Sequence, residues 1–546
     1  MTRVILTFFT CLALAMTSVA AASDGAGDTI GVSMSASSVP RYGVFELNIT
    51  HRETVFSNVW EDPAITVTFT SPADKIYRVG GFYDSSDLWK ARFAPSEAGV
   101  WRWALEWRDA QGVQNANGTF ESAASSEKGF VRRHPTNPFR LVFDDGSLYP
   151  ALGIGDCMLD TDHSGSPIDS WGFDGGFRPP GTEPGTGTDI DTYMRAYGGA
   201  GFNLFRWSVD NCAFKLWDRI DPSGNVYLQR EGQFGDTLVT RLRQNGFRTY
   251  MTIFGFNPPF PTDTGNPAKM NAVKRYAKYE VDRYGAYIDF WELMNEYPNP
   301  PASIKDEWYS IVGDYIRSID PYQHLISTSW QRPDLAAIEI NSPHWYQDES
   351  EFDSDRETDR NFRHWKASGK LVIVGEQGNN LKNWDERSAL RMRLRSWTAF
   401  FSEGTLIFWN VSGFKDNRAV PASLYLGPEE RSYIRVLQDF TAAADSDIGQ
   451  FTLTPSSASI RAYGLKSSGV ILGYFHHFTS HQETVSSSLT LDMPTAGTAV
   501  WIDPATGKTL QVAPVGRGRQ TLIMPPFAVD VALRIQLGTR RRGVRR

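Results

Sequence analysis

Two runs, Trp291-Glu-Leu-Met-Asn-Glu296 and Val372-Ile-Val-Gly-Glu-Gln-Gly378, decide how this chain is read. Each begins as a short, nearly continuous apolar segment, as expected of a strand buried on both faces of a parallel sheet. Each then delivers a carboxylate, Glu296 or Glu376, near its end. Working outward, eight such strands are predicted: Tyr149–Gly153, Asn203–Trp207, Arg248–Phe254, Tyr287–Leu293, Leu325–Trp330, Ala337–Asn341, Leu371–Val374 and Thr405–Trp409. Amphipathic, helix-period segments alternate with them, for example at 267–284, 302–319 and 385–402, and a last one at 429–444 follows the eighth strand. Strand–helix alternation repeated in this way predicts an α/β fold, a (β/α)8 TIM barrel over 135–447. The competing doubly wound sheet is disfavoured, because no glycine-rich phosphate fingerprint follows the first strand.

The flanks read differently. Residues 28–128 alternate apolar and polar over short runs such as Val44-Phe-Glu-Leu-Asn-Ile49 and Ala64-Ile-Thr-Val-Thr-Phe69. Glycine and proline turns separate these runs, so an antiparallel β-sandwich is predicted, joined to the barrel by a small polar linker at 123–130. The same alternation returns over 448–538, at Ser459–Tyr463, Val470–Phe475, Ala499–Ile502 and Val529–Ile535, with Asp503-Pro-Ala-Thr-Gly507 as a tight turn. A second antiparallel β-sandwich is predicted there. The basic stretch 539–546 is expected to be a disordered tail.

A net charge of −7, with no charge excess in the body of the chain, gives no reason to expect nucleic acid as a partner. The first residues combine Arg3, an apolar stretch from Val4 to Ala15 and the small residues Ala20, Ala21 and Ala22. That is the pattern of a signal peptide over 1–22, cleaved before Ser23, and it predicts a secreted or periplasmic protein with no stable membrane insertion. Of the three cysteines, Cys11 would leave with the leader. Cys157 and Cys212 each follow a predicted neighbouring strand, so they either form a disulfide at the barrel mouth or stay as two buried thiols. The sequence lacks Gly-x-Ser-x-Gly, His-Glu-x-x-His and Walker motifs, so no cofactor and no metal are expected. Asp156, Asp210 and His163 near the rim could bind a cation or a sugar. Oligomeric state is left open.

Placing the polar residues on their strands gathers a set at the barrel's C-terminal rim, where such barrels carry their active sites. Arg206 ends the second strand, Asn295 and Glu296 the fourth, and Trp330 the fifth. His344 and Tyr346 follow the sixth, Glu376 ends the seventh and Trp409 the eighth. A pair of carboxylates is what hydrolysis of a glycosidic bond requires, and the 17 tryptophans offer faces on which sugars stack. Arg206 beside Glu376 would favour its charged form, with Tyr346 able to hydrogen-bond the same carboxylate, while Glu296 is expected to titrate higher. Glu292 shares strand parity with Glu296 but lies deeper, where a buried ion pair is the expectation. Trp207 and Trp345, like Phe254, Phe256 and Phe260 after the third strand, read equally as core or as cleft wall.

Over roughly 148–446 this pattern resembles glycoside hydrolase clan A, the retaining (β/α)8 glycosidases that include family five. The resemblance implies that Asn295-Glu296 supply the acid/base, with Glu296 as the proton donor, and that Glu376 is the nucleophile. It also implies that Arg206, Asn295, His344, Tyr346 and Trp409 line the substrate site; Trp330, placed at the same rim by its strand position alone, is a further substrate-binding candidate that could instead be packing. Tyr297 stands after the Asn-Glu pair where many family five members have proline, which here is Pro298. Gly80-Gly-Phe-Tyr83 and Trp89-Lys-Ala-Arg-Phe-Ala-Pro95 resemble a small sandwich domain found before such barrels, and Trp501-Ile-Asp-Pro-Ala-Thr-Gly507 a terminal one. The expected activity is double-displacement cleavage of β-glycosidic bonds in a polysaccharide or oligosaccharide. A non-catalytic carbohydrate-binding or adhesion protein and a transglycosylase are the alternatives.

Overall fold

The computed structural model describes residues 18–19, 30–51, 56–156, 190–209, 215–255, 260–296, 304–329, 331–378, 387–410, 424 and 426–538. The chain divides into two compact units. One comprises Met1–Glu127 with Lys278–Ala286 and Ile319–Pro321; the other holds the remainder. Of the expected leader, only Ser18–Val19 is described, as a two-residue strand antiparallel to Gly31–Met34. The tail 539–546 lies outside the described residues.

The N-terminal unit contains two five-stranded sheets. Their pairings are antiparallel except at Ser38–Pro40, which runs parallel to the end of Gly112–Ala123. Period-two patterning creates the core. In Gly99–Asp109, Trp101, Trp103, Leu105 and Trp107 point inward while Arg102, Glu106 and Arg108 point to solvent. Rings from the two sheets meet face to face, Phe45 on Phe120 at 3.9 Å and Phe69 on Phe93 at 4.3 Å between centroids.

The second unit is built on a closed parallel barrel of eight strands. They are β1 (Gly153–Gly155), β2 (Leu204–Ser208), β3 (Arg248–Thr252), β4 (Phe290–Glu292), β5 (Leu325–Thr328), β6 in two pieces (Ile340–Asn341 and His344–Tyr346), β7 (Leu371–Gly378) and β8 (Thr405–Trp409). β1 pairs with both β2 and β8, and the two pieces of β6 both pair with β7, which closes the circle. The helices are α1 (Ile190–Gly199), α2 (Gln229–Gln244), α3 (Pro267–Tyr284), α4 (Asp306–Ile319), α5 (Ser354–Lys366), α6 (Ser388–Phe401) and α7 (Pro428–Thr441). The expected barrel with flanking sheets is therefore present, with strand bounds that differ in places: β4 starts at Phe290 rather than Tyr287, and β7 runs on to Gly378 rather than ending at Val374. β1 starts at Gly153 rather than Tyr149, because Pro150 has no N–H and the Leu152 N–H goes to the Asn203 side chain at 2.9 Å. Ala337–Glu339, expected to open the sixth strand, instead lie in a turn-rich connection over the described residues 331–339, where Lys370 Nζ caps the carbonyls of Leu335 (2.6 Å) and Ile338.

The barrel is plugged at its lower end. Leu204, Tyr250, Phe290, Leu325, Ile340, Leu371, Ile373 and Ile407 form one buried cluster with Val131, Leu141, Phe143 and Tyr149, residues in and just after the short hairpin that precedes β1. The polar groups of the candidate site lie at the opposite, C-terminal rim.

Beyond α7 a six-stranded antiparallel sheet faces the two-stranded pair Ser488–Met493 and Gly518–Ile523. Leu489, Leu491, Met493 and Leu522 on the smaller sheet pack with Ile471, Phe475, Trp501 and Val531 on the larger. The Asp503 turn forms as expected, Gly507 N–H bonding the Asp503 carbonyl at 2.8 Å with Gly507 at φ +73°. Helix α6 is buried on nearly every side because it lies between β8 and this sheet, with Trp397 stacked on Tyr474. There Arg393 grips Asp530 with two hydrogen bonds of 3.0–3.1 Å, and Tyr474 donates to the same carboxylate at 2.9 Å. Asp530→Ala leaves a buried guanidinium alone and is expected to cost about 3–5 kcal/mol, read as a lowered melting temperature by calorimetry.

Candidate active site

Strand geometry brings together, at the C-terminal rim, polar groups distant in sequence. Arg206 on β2 is fully buried and spends its guanidinium on three acceptors. Nε and Nη2 donate to Glu292 Oε2 at 2.9 and 2.6 Å, Nη2 also to Asn295 Oδ1 at 2.7 Å, and Nη1 to Glu376 Oε1 at 2.8 Å. Glu292, expected as a buried ion pair, is one, and its partner is the arginine that also holds Glu376. Glu376 Oε2 accepts the Tyr346 hydroxyl and lies 3.5 Å from His344 Nδ1. Burial and the Glu376 charge push the Tyr346 phenol well up, so it stays a donor.

Two backbone irregularities aim the carboxylates. The β7–β8 register slips between Val374 and Gln377, a bulge that contains Gly375 and Glu376. Glu296 sits at φ +49°, a left-handed conformation that costs a non-glycine residue about 1–2 kcal/mol. It is reached because Asn295 N–H still pairs with Gly255 O at 2.9 Å on the β3 side while Ser329 N–H takes Met294 O at 3.0 Å on the β5 side. One oxygen of Glu296, one of Glu376 and a ring nitrogen of His344 lie within 4.8 Å of one another. Among the described residues these are the groups that could hold a cation, but His344 Nδ1 lies at hydrogen-bond distance from Glu296 Oε1 (2.6 Å) and Arg206 already brings positive charge to Glu376.

The titration of Glu296 differs from the expectation. Burial works to raise its carboxyl, but the His344 hydrogen bond and charge, with Arg206, outweigh it and hold the group below its ordinary value. The reason is orientation: the imidazole, not Glu376, is its nearest partner. A value lowered by folding contributes stability that is fully present above the ordinary carboxylate range and lost as pH falls through the lowered value.

Trp409 closes β8 half-buried, its ring so near β1 that a Cβ on Gly155 would meet it at 2.9 Å. Trp207 and Trp345 are buried, as are Phe254 and Phe260, which pack on each other and on Trp308. Asp156 is wholly buried and accepts from Tyr193 and Asn410, both at 2.8 Å. Trp330, Cys157, Cys212, Asp210, His163, Phe256, Tyr297 and Pro298 lie outside the described residues. Two groups were missed from sequence: Thr252 and Ser329, whose hydroxyls both bond Glu292. Their shared inward parity at the ends of β3 and β5 was the available signal.

Gly375 permits the His344 ring to lie against β7, since a Cβ there would stand 2.8 Å from Ser342 Oγ and 3.0 Å from His344 Nε2. Gly375→Ala is expected to cost about 1–3 kcal/mol and to swing the imidazole off Glu296, checked by thermal unfolding and by activity. His344→Ala is expected to flatten the acid-side stability loss of Glu296, so urea unfolding of variant and parent should converge as pH falls.

Comparison with known proteins bears on the fold. A domain family described as a domain of unknown function, DUF5060, matches residues 38–108. A "putative glycoside hydrolase" from Bacteroides vulgatus superposes with a TM-score of 0.62 at 16% identity, over 92% of this chain and 100% of that one. A glycoside hydrolase family 5 structure from the same organism superposes at 0.50 and 14% identity, over 75% of this chain and 93% of that one. A stretch of 105 residues is 27% identical to a coniferin beta-glucosidase of Pinus contorta, covering 18% of this chain and 19% of that protein, so the match spans about a fifth of that relative. The architecture, barrel and sandwiches together, is that of glycoside hydrolases.

Proposed function

We propose that this protein is an exported glycoside hydrolase that cleaves β-glycosidic bonds in a polysaccharide or oligosaccharide with net retention. The observation that carries this reading is the approach of Glu296 and Glu376, an oxygen of each lying within 4.8 Å of the other. Retaining enzymes hold their carboxyls about 5–5.5 Å apart, whereas inverting ones leave about 6.5–9.5 Å for a water. In the proposed reaction Glu376 attacks the anomeric carbon and forms a glycosyl ester. Glu296 protonates the departing oxygen, then takes a proton from the water that hydrolyses the ester.

The surroundings suit these roles. Glu376 is clamped by Arg206 and Tyr346, which fixes its attacking oxygens. Glu296 is the more exposed of the two, its side chain 25% accessible against 7% for Glu376. Its 2.6 Å contact with His344 Nδ1 makes the two a pair that can share one transferable proton, so the leaving group draws on both. Trp409 offers the half-buried indole face on which a sugar ring can stack. A β-linked substrate is supported by the stretch similar to a beta-glucosidase. Among the described residues no helix is long and apolar enough to cross a membrane. Export is the reading of the first 22 residues, tested by N-terminal sequencing of protein recovered outside the cytoplasm: Ser23 as first residue supports it, an intact Met1 refutes it.

Purified protein incubated with a polysaccharide panel is expected to release sugars whose first-formed anomer, followed by NMR, matches the β configuration of the substrate; the α anomer refutes retention. Glu376→Gln is expected to lose essentially all turnover. Glu296→Ala should lose about 10²–10⁴-fold on natural linkages while sparing dinitrophenyl glycosides, whose leaving group needs no proton. Equal loss on both substrates removes the acid role.

A further inference from the structure

Glu292 is a third carboxylate in this site, and the mechanism above does not use it. It is completely buried on β4 and accepts four hydrogen bonds, from Arg206 Nε, Arg206 Nη2, the Thr252 hydroxyl and the Ser329 hydroxyl (2.9 Å). None of these donors belongs to a substrate. Four neighbouring strands, β2 to β5, supply this one acidic side chain and its donors, and the arginine's remaining nitrogen, Nη1, is the one that touches Glu376.

A purely structural partner for Arg206 would need only to neutralise it. The arrangement does more, because one cation lies between two anions with 2.6–2.9 Å contacts on both sides. An arginine devoted to Glu376 alone would bind its negative charge strongly, and a carboxylate so stabilised is a poor nucleophile. Sharing that cation with a second buried carboxylate keeps the orientation and reduces the electrostatic grip.

We propose that Glu292 is a positioning residue that divides the charge of Arg206, so that Glu376 is held in place without losing its nucleophilic strength. This rests on reading Glu376 as the nucleophile. Among the described residues, the charged and titratable groups facing the cluster are Arg206 from β2, Tyr250 from β3, Glu292 and Glu296 from β4 and its extension, His344 and Tyr346 from β6, and Glu376 from β7. Of these, Glu292 and Glu376 are the two that hydrogen-bond Arg206.

The test is the pH profile of kcat/KM for Glu292→Gln on 2,4-dinitrophenyl β-D-glycosides (glucoside, mannoside, xyloside and galactoside), using whichever the parent turns over fastest. These leaving groups make the rate report nucleophilic attack. Removing the second negative charge is expected to move the acid limb down by about one pH unit and to lower the plateau about tenfold or more, with KM little changed. A folded Glu292→Gln whose acid limb stays in place overturns the proposal, whatever happens to its melting temperature. Glu292→Asp, which keeps the charge but withdraws it from Arg206, is expected to move the limb in the same direction by less, and an unmoved limb in that variant overturns it equally. Glu376→Gln is run alongside. If it remains active the nucleophile assignment itself is wrong, whereas an inactive Glu376→Gln with an unmoved limb in Glu292→Gln sinks this inference alone.

Discussion

The structure depends most on one buried cation. Arg206 reaches across the barrel mouth from β2 to Glu292 and Asn295 on β4 and its extension and to Glu376 on β7, and each of its contacts lies between 2.6 and 2.9 Å. A lone guanidinium in that position would cost several kcal/mol of desolvation, so it is tolerated only when the barrel has closed and its acceptors have arrived. Closure, in turn, is what brings residues 170 positions apart into one hydrogen bond. Fold and candidate chemistry are therefore coupled through a single side chain, whose Glu376 and Glu292 partners hold its charge far above the range in which it could be lost, against the opposing effect of burial.

The irregularities that shape the candidate site, the bulge, the strand break and the left-handed Glu296, gather at the C-terminal end of the barrel. The lower half is a regular cluster of branched and aromatic side chains. At the rim, β7 bulges at Gly375-Glu376, β6 is interrupted at Ser342-Pro343, and Glu296 adopts a left-handed conformation. These features support one another. Pro343 has no N–H to give, but its carbonyl accepts from Gly375 at 2.9 Å, which ties the break in β6 to the bulge in β7. Strain of this kind persists only where the surroundings over-determine it, and here the regular lower core supplies that rigidity.

The strands were legible because burial on both faces leaves continuous apolar text: Thr405–Trp409 and the helix over 267–284 match to the residue. The boundaries of β1 were not, since they turn on a hydrogen bond from the Asn203 side chain that no periodicity records. Nor was the start of β6, expected at Ala337 and found at Ile340, because Ala337–Glu339 belong to the turn-rich β5–β6 connection. At the site, position along a strand was enough to gather Arg206, Asn295, Glu296, His344, Tyr346 and Glu376 at one rim. Ring orientation was out of reach. The expected high titration of Glu296 assumed that Glu376 would be its dominant neighbour, and the imidazole of His344 stands nearer. Phe254, Phe260, Trp207 and Trp345 had two readings in sequence, and burial selects the packing one.

The two carboxylates differ in a way that bears on the division of labour between them. Glu376 is nearly sealed from solvent, with Arg206 on one oxygen and Tyr346 on the other. Glu296 is a quarter accessible and bonds an imidazole, a group that can itself carry or release a proton near neutrality. A residue that must attack carbon profits from fixed geometry and stable charge, while one that gives and later takes a proton needs a partner able to exchange it. Exchanging the proposed roles would ask the clamped carboxylate to shuttle protons past an arginine, and the strained, more open one to attack while its carboxylate bonds the His344 ring. The donor pattern, set by β2 and β6 and not by the glutamates themselves, makes the assignment asymmetric.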